Sequence, residues 1–382
     1  MVSMKCTIMR GGTSKGIYIM ENQLPKDTIK KNKVIRAIFG SPDIRQIDGL
    51  GGADVLTSKL AIIGPPSRND ADVDYTFAQV SINDEVVDFK SNCGNISAGV
   101  GPYAIDHGLV RAMEPITTVR IHQKNTGRII VAEVEVKDGK SRVEGDCQID
   151  GVPGTGSRIK LDFSDSIGAL TGKLLPTGNV RDEIELENGE KYMVSIVDVA
   201  IPVVFIKARD LGLKGIETPQ EIEQNRELME KIEEIRGNAA VKMGLVKRWD
   251  LAIKESTYSP FLSIISPAID YLTFNGINVK AQDIDFISRL IFMQKVHKAH
   301  PVTGTVCAGV AAKISDTIVW EVLKERSNDN KKLMIGHPSG VIPIECDVEM
   351  RDSEIVLKKA AIYRTARLIM EGDVYIRKSL IE

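Results

Sequence analysis

Aromatic side chains are scarce in this chain, 5% of its residues, and no charge of one sign dominates, with 50 Lys and Arg against 52 Asp and Glu for a formal charge of -2. The first shortage removes the stacking platforms a single-strand binder needs, and the second removes the basic footprint of a nucleic-acid partner. No apolar run approaches the roughly 18–20 residues of a membrane span, so no membrane partner is expected. Residues 1–10 hold no long apolar stretch followed by a small-residue cleavage site, which makes the cytoplasm the expected location. The five cysteines, Cys6, Cys93, Cys147, Cys307 and Cys346, are odd in number and widely spaced. They fit neither a disulfide framework nor a CxxC zinc pattern, and no metal is expected.

What the chain does have is length and glycine. Its 382 residues predict two domains at about 100–200 residues each. The 43% hydrophobic and 27% charged fractions are ordinary for a globular protein, and 32 glycines supply many turns and close backbone approaches.

The first half reads as strand and turn. Residues 5–9 and 16–20 form two strands around a Gly-rich turn, and residues 25–39 form a helix. Residues 73–82 and 85–89 make a hairpin about Asn83-Asp84, and strands follow at 119–122, 128–136 and 141–147. This pattern predicts antiparallel sheet without βαβ repetition. Residues 95–106 carry apolar residues at helical intervals and almost no polar face, so that helix should be buried on every side within a sheet-rich domain. Residues 151–179 are rich in Gly, Pro, Ser and Thr and mark the junction. Beyond it come a strand pair at 191–197 and 203–207, an acidic helix at 218–236 and a helix at 281–297. The predicted domains are 1–183, with a returning carboxy-terminal strand at 372–382, and 184–371.

The two halves also resemble each other. Residues 91–100 read SNCGNISAGV and residues 301–310 read PVTGTVCAGV, which match without gaps at Gly94 and Gly304, Ala98 and Ala308, Gly99 and Gly309, and Val100 and Val310. Each copy follows a polar turn and opens an apolar helix, one in each predicted domain, as a duplication requires. The alignment sets Cys307 opposite Ser97, which makes Cys307 a compact core residue, and sets Thr303 opposite Cys93. Cys6, Cys147 and Cys346 are read in the same way as Cys307.

Cys93, between Asn92 and Gly94 just before a helix, meets unpaired amide N–H groups that favour the thiolate. The other reading of the residue is a small side chain at a tight strand-to-helix turn. Gly94 lets a ligand approach the backbone amides, and Thr303-Gly304-Thr305 offers a second such cradle. Arg10-Gly-Gly-Thr-Ser-Lys-Gly16 lacks the order of a Walker A loop, so nucleotide binding is not supported. Ser14 is either an anion donor or part of a Gly-rich hairpin turn. Gly336-His-Pro-Ser-Gly340 has the same double meaning, with Ser339 and Gly340 as carboxylate donors. Lys59 enters the apolar run Leu60-Ala-Ile-Ile63 beside Gly-rich turns, where a desolvated amine can act as acid or base. His297 and His300 have HxxH spacing without a third ligand and are read as partners of a helix C-terminus, while His107 and His122 have no partner visible from spacing.

Taken in order, Met9-Arg-Gly-Gly-Thr-Ser-Lys-Gly16, Gln46-Ile-Asp-Gly-Leu-Gly-Gly-Ala-Asp54 with Thr57-Ser-Lys59, Asn92-Cys-Gly-Asn95, Ile335-Gly-His-Pro-Ser-Gly340 and Arg364-Thr-Ala-Arg-Leu-Ile-Met-Glu-Gly372 resemble the PrpF family of isomerases. The likeness runs close to full length, and residues 74–80 and 92–102 look most like its methylitaconate isomerase branch. It implies an α+β, diaminopimelate epimerase-like fold of two pseudo-repeated halves, each a curled, mostly antiparallel sheet around a central helix, with the active site in the cleft between them. Epimerases of that superfamily use a cysteine from each half, and Thr303 in the second position disfavours stereochemical inversion.

What the resemblance implies for function is a cofactor-independent isomerase that moves a carbon–carbon double bond in a small unsaturated di- or tricarboxylate. Cys93 and Lys59 would be catalytic, and Ser14, Asn92, Gly94, Asn95, Thr303, Gly304, Thr305, Ser339 and Gly340 would hold substrate. 3-Methylitaconate leads as substrate, ahead of 2-methylaconitate and 4-oxalomesaconate, and a carboxylate-binding protein without activity is the alternative of another class. After Val197-Asp-Val-Ala200 the family pattern predicts Asn-Pro, but this chain has Ile201-Pro202, which makes any contact there more apolar. Whether the chain forms a homo-oligomer is left open.

Overall fold

Alternating apolar residues on either side of Gly11-Gly12 build a hairpin, β1 (Val2–Gly11) and β2 (Ser14–Met20), paired antiparallel with Gly11 opposite Ser14. The chain then crosses through α1 (Thr28–Phe39), capped by Asp27 and closed by Gly40 in the left-handed conformation, to β3 (Lys59–Gly64), which lies parallel to β2. β4 (Val73–Val80) returns antiparallel to β3. Next come two short helical segments, α2 (Gly94–Ser97) and α3 (Val100–Asp106), and then β5 (Ile116–Gln123), parallel to β4, and β6 (Arg128–Lys137), antiparallel to β5.

The second half repeats this order. β7 (Lys191–Val199) and β8 (Ile201–Lys207) form the hairpin, α4 (Arg226–Lys242) the crossover, and β9 (Phe261–Pro267) lies parallel to β8. β10 (Phe286–Phe292) is antiparallel to β9, α5 (Val302–Ala311) follows, and β11 (Lys332–His337), parallel to β10, turns into β12 (Gly340–Arg351). The last strand, β13 (Ala366–Ile376), pairs antiparallel with β1.

The structure is a computed structural model that describes residues 1–90, 92–323, 331–351 and 354–380. Ser91 of the repeat and the last two residues of the 372–382 strand therefore lie outside the described residues. Two compact units emerge: Met1–Leu161 with Tyr363–Glu382, and Asp162–Ile362. No helix among the described residues is long and apolar enough to cross a membrane.

In the first unit α1 covers one face of the sheet, packing Val34, Ile35, Ile38 and Phe39 against Ile17, Ile19, Leu60, Ile62 and Ala78. In the second, Leu228, Ile232 and Ile235 of α4 do the same against Val204, Ile206, Leu262 and Ile264. The apolar repeat segments lie elsewhere: every residue of α2 is buried, as is α3 up to Ile105, and so are all of α5 from Val302 to Ala311.

Four sequence expectations need correction. The sheets are mixed, and β2–α1–β3 and β8–α4–β9 are βαβ units; the signal was the unbroken burial of β3, since a strand covered on both faces reads as a continuous apolar run. Residues 281–297 are not a helix, because β10 turns back through Met293 and Gln294, both at positive φ, onto Lys295 and Val296. That turn carries neither of the Asn-Gly or Asp-Gly pairs that announce a two-residue hairpin. The helix at 95–106 breaks at Ala98-Gly99, where a Cβ on Gly99 would lie 2.3 Å from the Tyr18 hydroxyl. The acidic helix at 218–236 likewise divides at Asn225, whose side chain caps α4.

Candidate active site

Side chains alternate between faces along a strand, and register carries a face from strand to strand. On β2, Ser14, Gly16 and Tyr18 share one face. Gly16 stands beside Lys59 of β3, and Lys59 stands beside Gln79 of β4, which shares its face with Phe77 and Tyr75. This face is turned toward α2. A Cβ on Gly16 would lie 2.8 Å from Ile96 Cδ1 and 3.0 Å from the Lys59 carbonyl, and the Tyr18 hydroxyl donates to the Ile96 carbonyl at 2.5 Å. Ser14, Lys59 and the helix start at Cys93 are thereby gathered on one side of the first unit's sheet.

Cys93 is 9% exposed and is the residue from which α2 begins. Its carbonyl is held by the Ser97 amide at 3.0 Å, the Ser97 hydroxyl at 2.9 Å and the Tyr75 hydroxyl at 3.5 Å. The amides of Gly94, Asn95 and Ile96 precede the first intrahelical acceptor and point out of the helix end. Because α2 has only four residues, local N–H groups and not a long macrodipole supply the positive potential here. Burial, and then Cys93 itself, push the phenols of Tyr18 and Tyr75 well above their usual range, so the wall around the thiol is neutral.

Lys59 is 4% exposed. Its Nζ donates to Gln79 Oε1 at 2.8 Å and lies 5.3 Å from the centre of the Phe77 ring. The Gln79 amide is oriented from behind, because its Nε2 donates to the carbonyls of Ser58 at 3.0 Å and Val55 at 3.2 Å. An ammonium group held this way presents a fixed position to anything that enters above it. Sequence reasoning missed Gln79, and its signal was the register that places it beside Lys59.

The Gly-rich turn proves to be a hairpin that leans on α2. The Thr13 amide donates to Asn95 Oδ1 at 3.3 Å, and a Cβ on Gly12, whose φ is +50°, would lie 2.1 Å from the same oxygen. The Asn95 side chain thus positions the turn. Arg10 clamps it from the other side, donating to the carbonyls of Gly12 and Thr365, each at 2.9 Å. Thr13 Oγ1, Ser14 Oγ and Asn92 Oδ1 are buried polar atoms without a hydrogen-bond partner. Buried polar atoms are seldom left so, and the two in this turn indicate a place where a bound group completes the set.

Of the other cysteines, burial raises Cys6, Cys147 and Cys307, and pushes Cys346 up to about 12. Cys307 donates to the Val197 carbonyl at 3.2 Å. These thiols stay protonated at neutral pH.

In the second unit Thr303 and Gly304 lie in the first turn of α5, and Thr305 follows. The Thr305 hydroxyl donates to the Pro301 carbonyl at 2.9 Å and sits 2.7 Å from His300 Nδ1, while His300 Nε2 is 2.8 Å from Ser288 Oγ. His300 therefore serves the start of a helix and not the C-terminus expected for it, because the helix at 281–297 does not exist. The Ser339 amide donates to His337 Nδ1 at 3.2 Å, and the Tyr271 hydroxyl bridges the carbonyls of His337 and Gly340 at 2.9 and 2.8 Å. The rings of His300 and His337 are 6.4 Å apart, so the segments carrying Thr305 and Ser339 are neighbours. Ile201 is buried at the opening of β8 and brings no polar side chain. The remaining histidines also find partners: His122 Nδ1 is 3.0 Å from Asp74, and His107 stacks on Tyr103 and reaches Glu371 at 3.2 Å.

Residues 1–377 match the family described as PrpF protein. Over 375 residues, 98% of this chain and 97% of the relative, the sequence is 53% identical to a protein named 3-methylitaconate isomerase from Eubacterium barkeri. The crystal structure of a methylitaconate-delta-isomerase has a TM-score of 0.84 and 52% identity, covering 100% of this chain and 97% of that one. A hydroxyproline epimerase from Agrobacterium vitis shares the fold alone, with a TM-score of 0.55 and 10% identity over 97% of this chain and 92% of its own. The expected epimerase-like α+β fold is thus the fold of this chain.

Proposed function

The chain belongs to the PrpF family of isomerases, and from that premise we propose that it interconverts 3-methylitaconate and 2,3-dimethylmaleate by allylic proton transfer through Cys93 and Lys59. The observation that carries this reading is the common face of the first unit's sheet, which holds a fixed ammonium group at Lys59 on the side where the thiol of Cys93 begins α2.

One of the two groups removes the proton from the carbon that is both allylic and adjacent to a carboxylate. The electron pair passes into that carboxylate as a dienolate. The other group delivers a proton to the methylene end, where a methyl group forms and the double bond has moved by one position. One proton leaves and one arrives, so the reaction needs no oxidant or cofactor. Hydrogen bonds aimed at the developing enolate are worth several kcal/mol, and a positioned proton donor or acceptor contributes about 10²–10⁴-fold.

Ser14, Asn92 and Gly94 are the proposed substrate contacts of the first unit; in the second unit Thr303, Gly304 and Gly340 are retained as candidates, while the Thr305 hydroxyl and the Ser339 amide already donate to Pro301 and His337. Asn95 acts through the turn it supports. The five free thiols fit a reducing compartment, so the cytoplasm is the proposed location.

The test is a substrate panel of methylitaconate, dimethylmaleate, 2-methylaconitate and oxalomesaconate, followed by proton NMR in deuterium oxide. Methylitaconate should be turned over fastest, with deuterium entering the new methyl group. Absence of turnover and of exchange with all four refutes the reading. Cys93→Ser should abolish turnover while calorimetry still detects ligand, and wild-type turnover in that variant would remove the thiol from the mechanism.

A further inference from the structure

One buried cation near the Gly-rich turn is not used by this mechanism. Arg364 is 2% exposed, and its one hydrogen bond among the described residues runs from Nη1 to the carbonyl of its neighbour Tyr363 at 2.8 Å. Nε is buried without a partner, and among the described residues no carboxylate lies within ion-pair distance. Arginine rarely loses its proton, and an enclosed guanidinium without a counter-ion is unfavourable unless something anionic joins it. The Cys147 thiol is a charge neighbour, but burial raises it, so it stays neutral and does not serve.

The position of this guanidinium indicates what would join it. A Cβ on Gly12 would lie 3.2 Å from Arg364 Cδ and 2.1 Å from Asn95 Oδ1, so the Arg364 stem and the residue two places after Cys93 meet over the same glycine. Thr365, next in sequence, accepts from the Gly12 amide at 2.9 Å and from Arg10 at 2.9 Å, which locks Arg364 to the turn. The unpartnered hydroxyls of Thr13 and Ser14 belong to that turn. The Arg364 stem packs on the turn that carries two unpartnered hydroxyls, and a guanidinium with two hydroxyls is a donor set that suits a carboxylate, which accepts from arginine and has lone pairs left for hydroxyls.

We propose that Arg364, with the hydroxyls of Thr13 and Ser14, anchors one carboxylate of the substrate in the first unit and so restricts the enzyme to acids carrying a second carboxylate. This inference rests on the isomerase reading above. It adds Arg364 and Thr13 as binding residues and makes Gly12 the position whose missing side chain admits the Arg364 stem and the Asn95 side chain.

The test uses 2,3-dimethylmaleate and its monomethyl ester, which keeps the carbon skeleton and removes one negative charge. Calorimetry and steady-state kinetics are run at pH 8 on the full chain and on R364M and R364K. Wild type should prefer the diacid by about 10²-fold or more in Kd and KM. R364M should lose most of that preference by weakening the diacid alone, with kcat changing less than KM. R364K keeps the charge without the fork and should retain part of the preference. If R364M does not fold, at least a tenfold fall of the diacid-to-ester ratio in R364K supports the proposal, and an unchanged ratio overturns it. Isomerisation by wild type with an unaltered preference in folded R364M sinks the anchor and leaves the isomerase reading intact. Diacid binding that R364M abolishes, without turnover by wild type, sinks the isomerase reading and leaves the anchor standing.

Discussion

Gly16→Ala places one methyl group at the contact that sets the spacing between Lys59 and α2. The added carbon would lie 2.8 Å from Ile96 Cδ1, 3.0 Å from the Lys59 carbonyl oxygen and 3.5 Å from its carbon. Carbon atoms rest about 3.5–4.0 Å apart, so the Ile96 contact must open by about an ångström. Ile96 is wholly buried and the Lys59 backbone is pinned between β2 and β4, so the strain has no free surface into which to relax. Overpacking of this kind costs about 1–3 kcal/mol, small enough for the chain to remain folded. The reaction should suffer far more, because a displacement of about 1 Å between a reacting carbon and its proton acceptor costs about 10²-fold. Guanidinium unfolding and kcat for methylitaconate, followed by the absorbance of dimethylmaleate, measure the two effects separately. Ile96→Val in the same chain removes a methyl group and should recover part of both. A folded Gly16→Ala variant with wild-type kcat would refute the claim that the chemistry depends on the distance from α2 to β3.

Gln79→Leu removes the 2.8 Å acceptor of Lys59 and a donor to the carbonyls of Val55 and Ser58, so stability should fall by about 1.5–3 kcal/mol in denaturant titration, with kcat reduced more than KM is raised. Tyr18 and Tyr75 have phenols raised by burial, so each contributes stability as a neutral group below pH 10 and loses it as pH rises through the folded value. Spectrophotometric titration of the native protein should therefore leave both phenols un-ionised where an exposed tyrosine titrates, near pH 10, and Tyr75→Phe should leave that part of the native titration unchanged. For Asp74, burial opposes ionisation but is outweighed by the Ser67 amide at 2.9 Å, the Ser67 hydroxyl and His122, which together hold its pKa below 3.8. The stability it contributes is present above that pH and disappears as pH falls through the lower folded value. Asp74→Asn should flatten the acid limb of the Tm-against-pH curve, and an unchanged limb would exclude the carboxylate as its source.

Much of this arrangement could be read from residues alone. The match of 91–100 with 301–310 pointed to a duplication, and the repeated strand order with its two buried helical segments bears it out. Cys93 and Lys59 stood out because each is a chemically active residue beside glycine and apolar neighbours, and those neighbours bury them. The residues that escaped notice act through pairing across the sheet. Gln79 is 20 positions from Lys59 and becomes its partner only through the register of β3 and β4. Arg364 is brought to Gly12 by the strand that returns to pair with β1. Asn95 had the right composition for a substrate contact, but a turn 82 positions away claims its side-chain oxygen. Parallel pairing and a two-residue turn at Met293-Gln294 carry almost no local signature, which is why a helix was expected where β10 runs.

The fully buried α5 has a consequence for how the chain is made. Its ten residues are small and, Thr303 and Thr305 apart, apolar, and part of their cover, Ile344 against Gly309, belongs to β12, which ends some 40 residues later at Arg351. On a ribosome adding about 5–20 residues each second, the greasy segment emerges several seconds before its lid exists. During that interval it is the natural foothold for a chaperone, and a slowing of translation just past Ala311 would lengthen the hazard without altering a single contact of the finished protein.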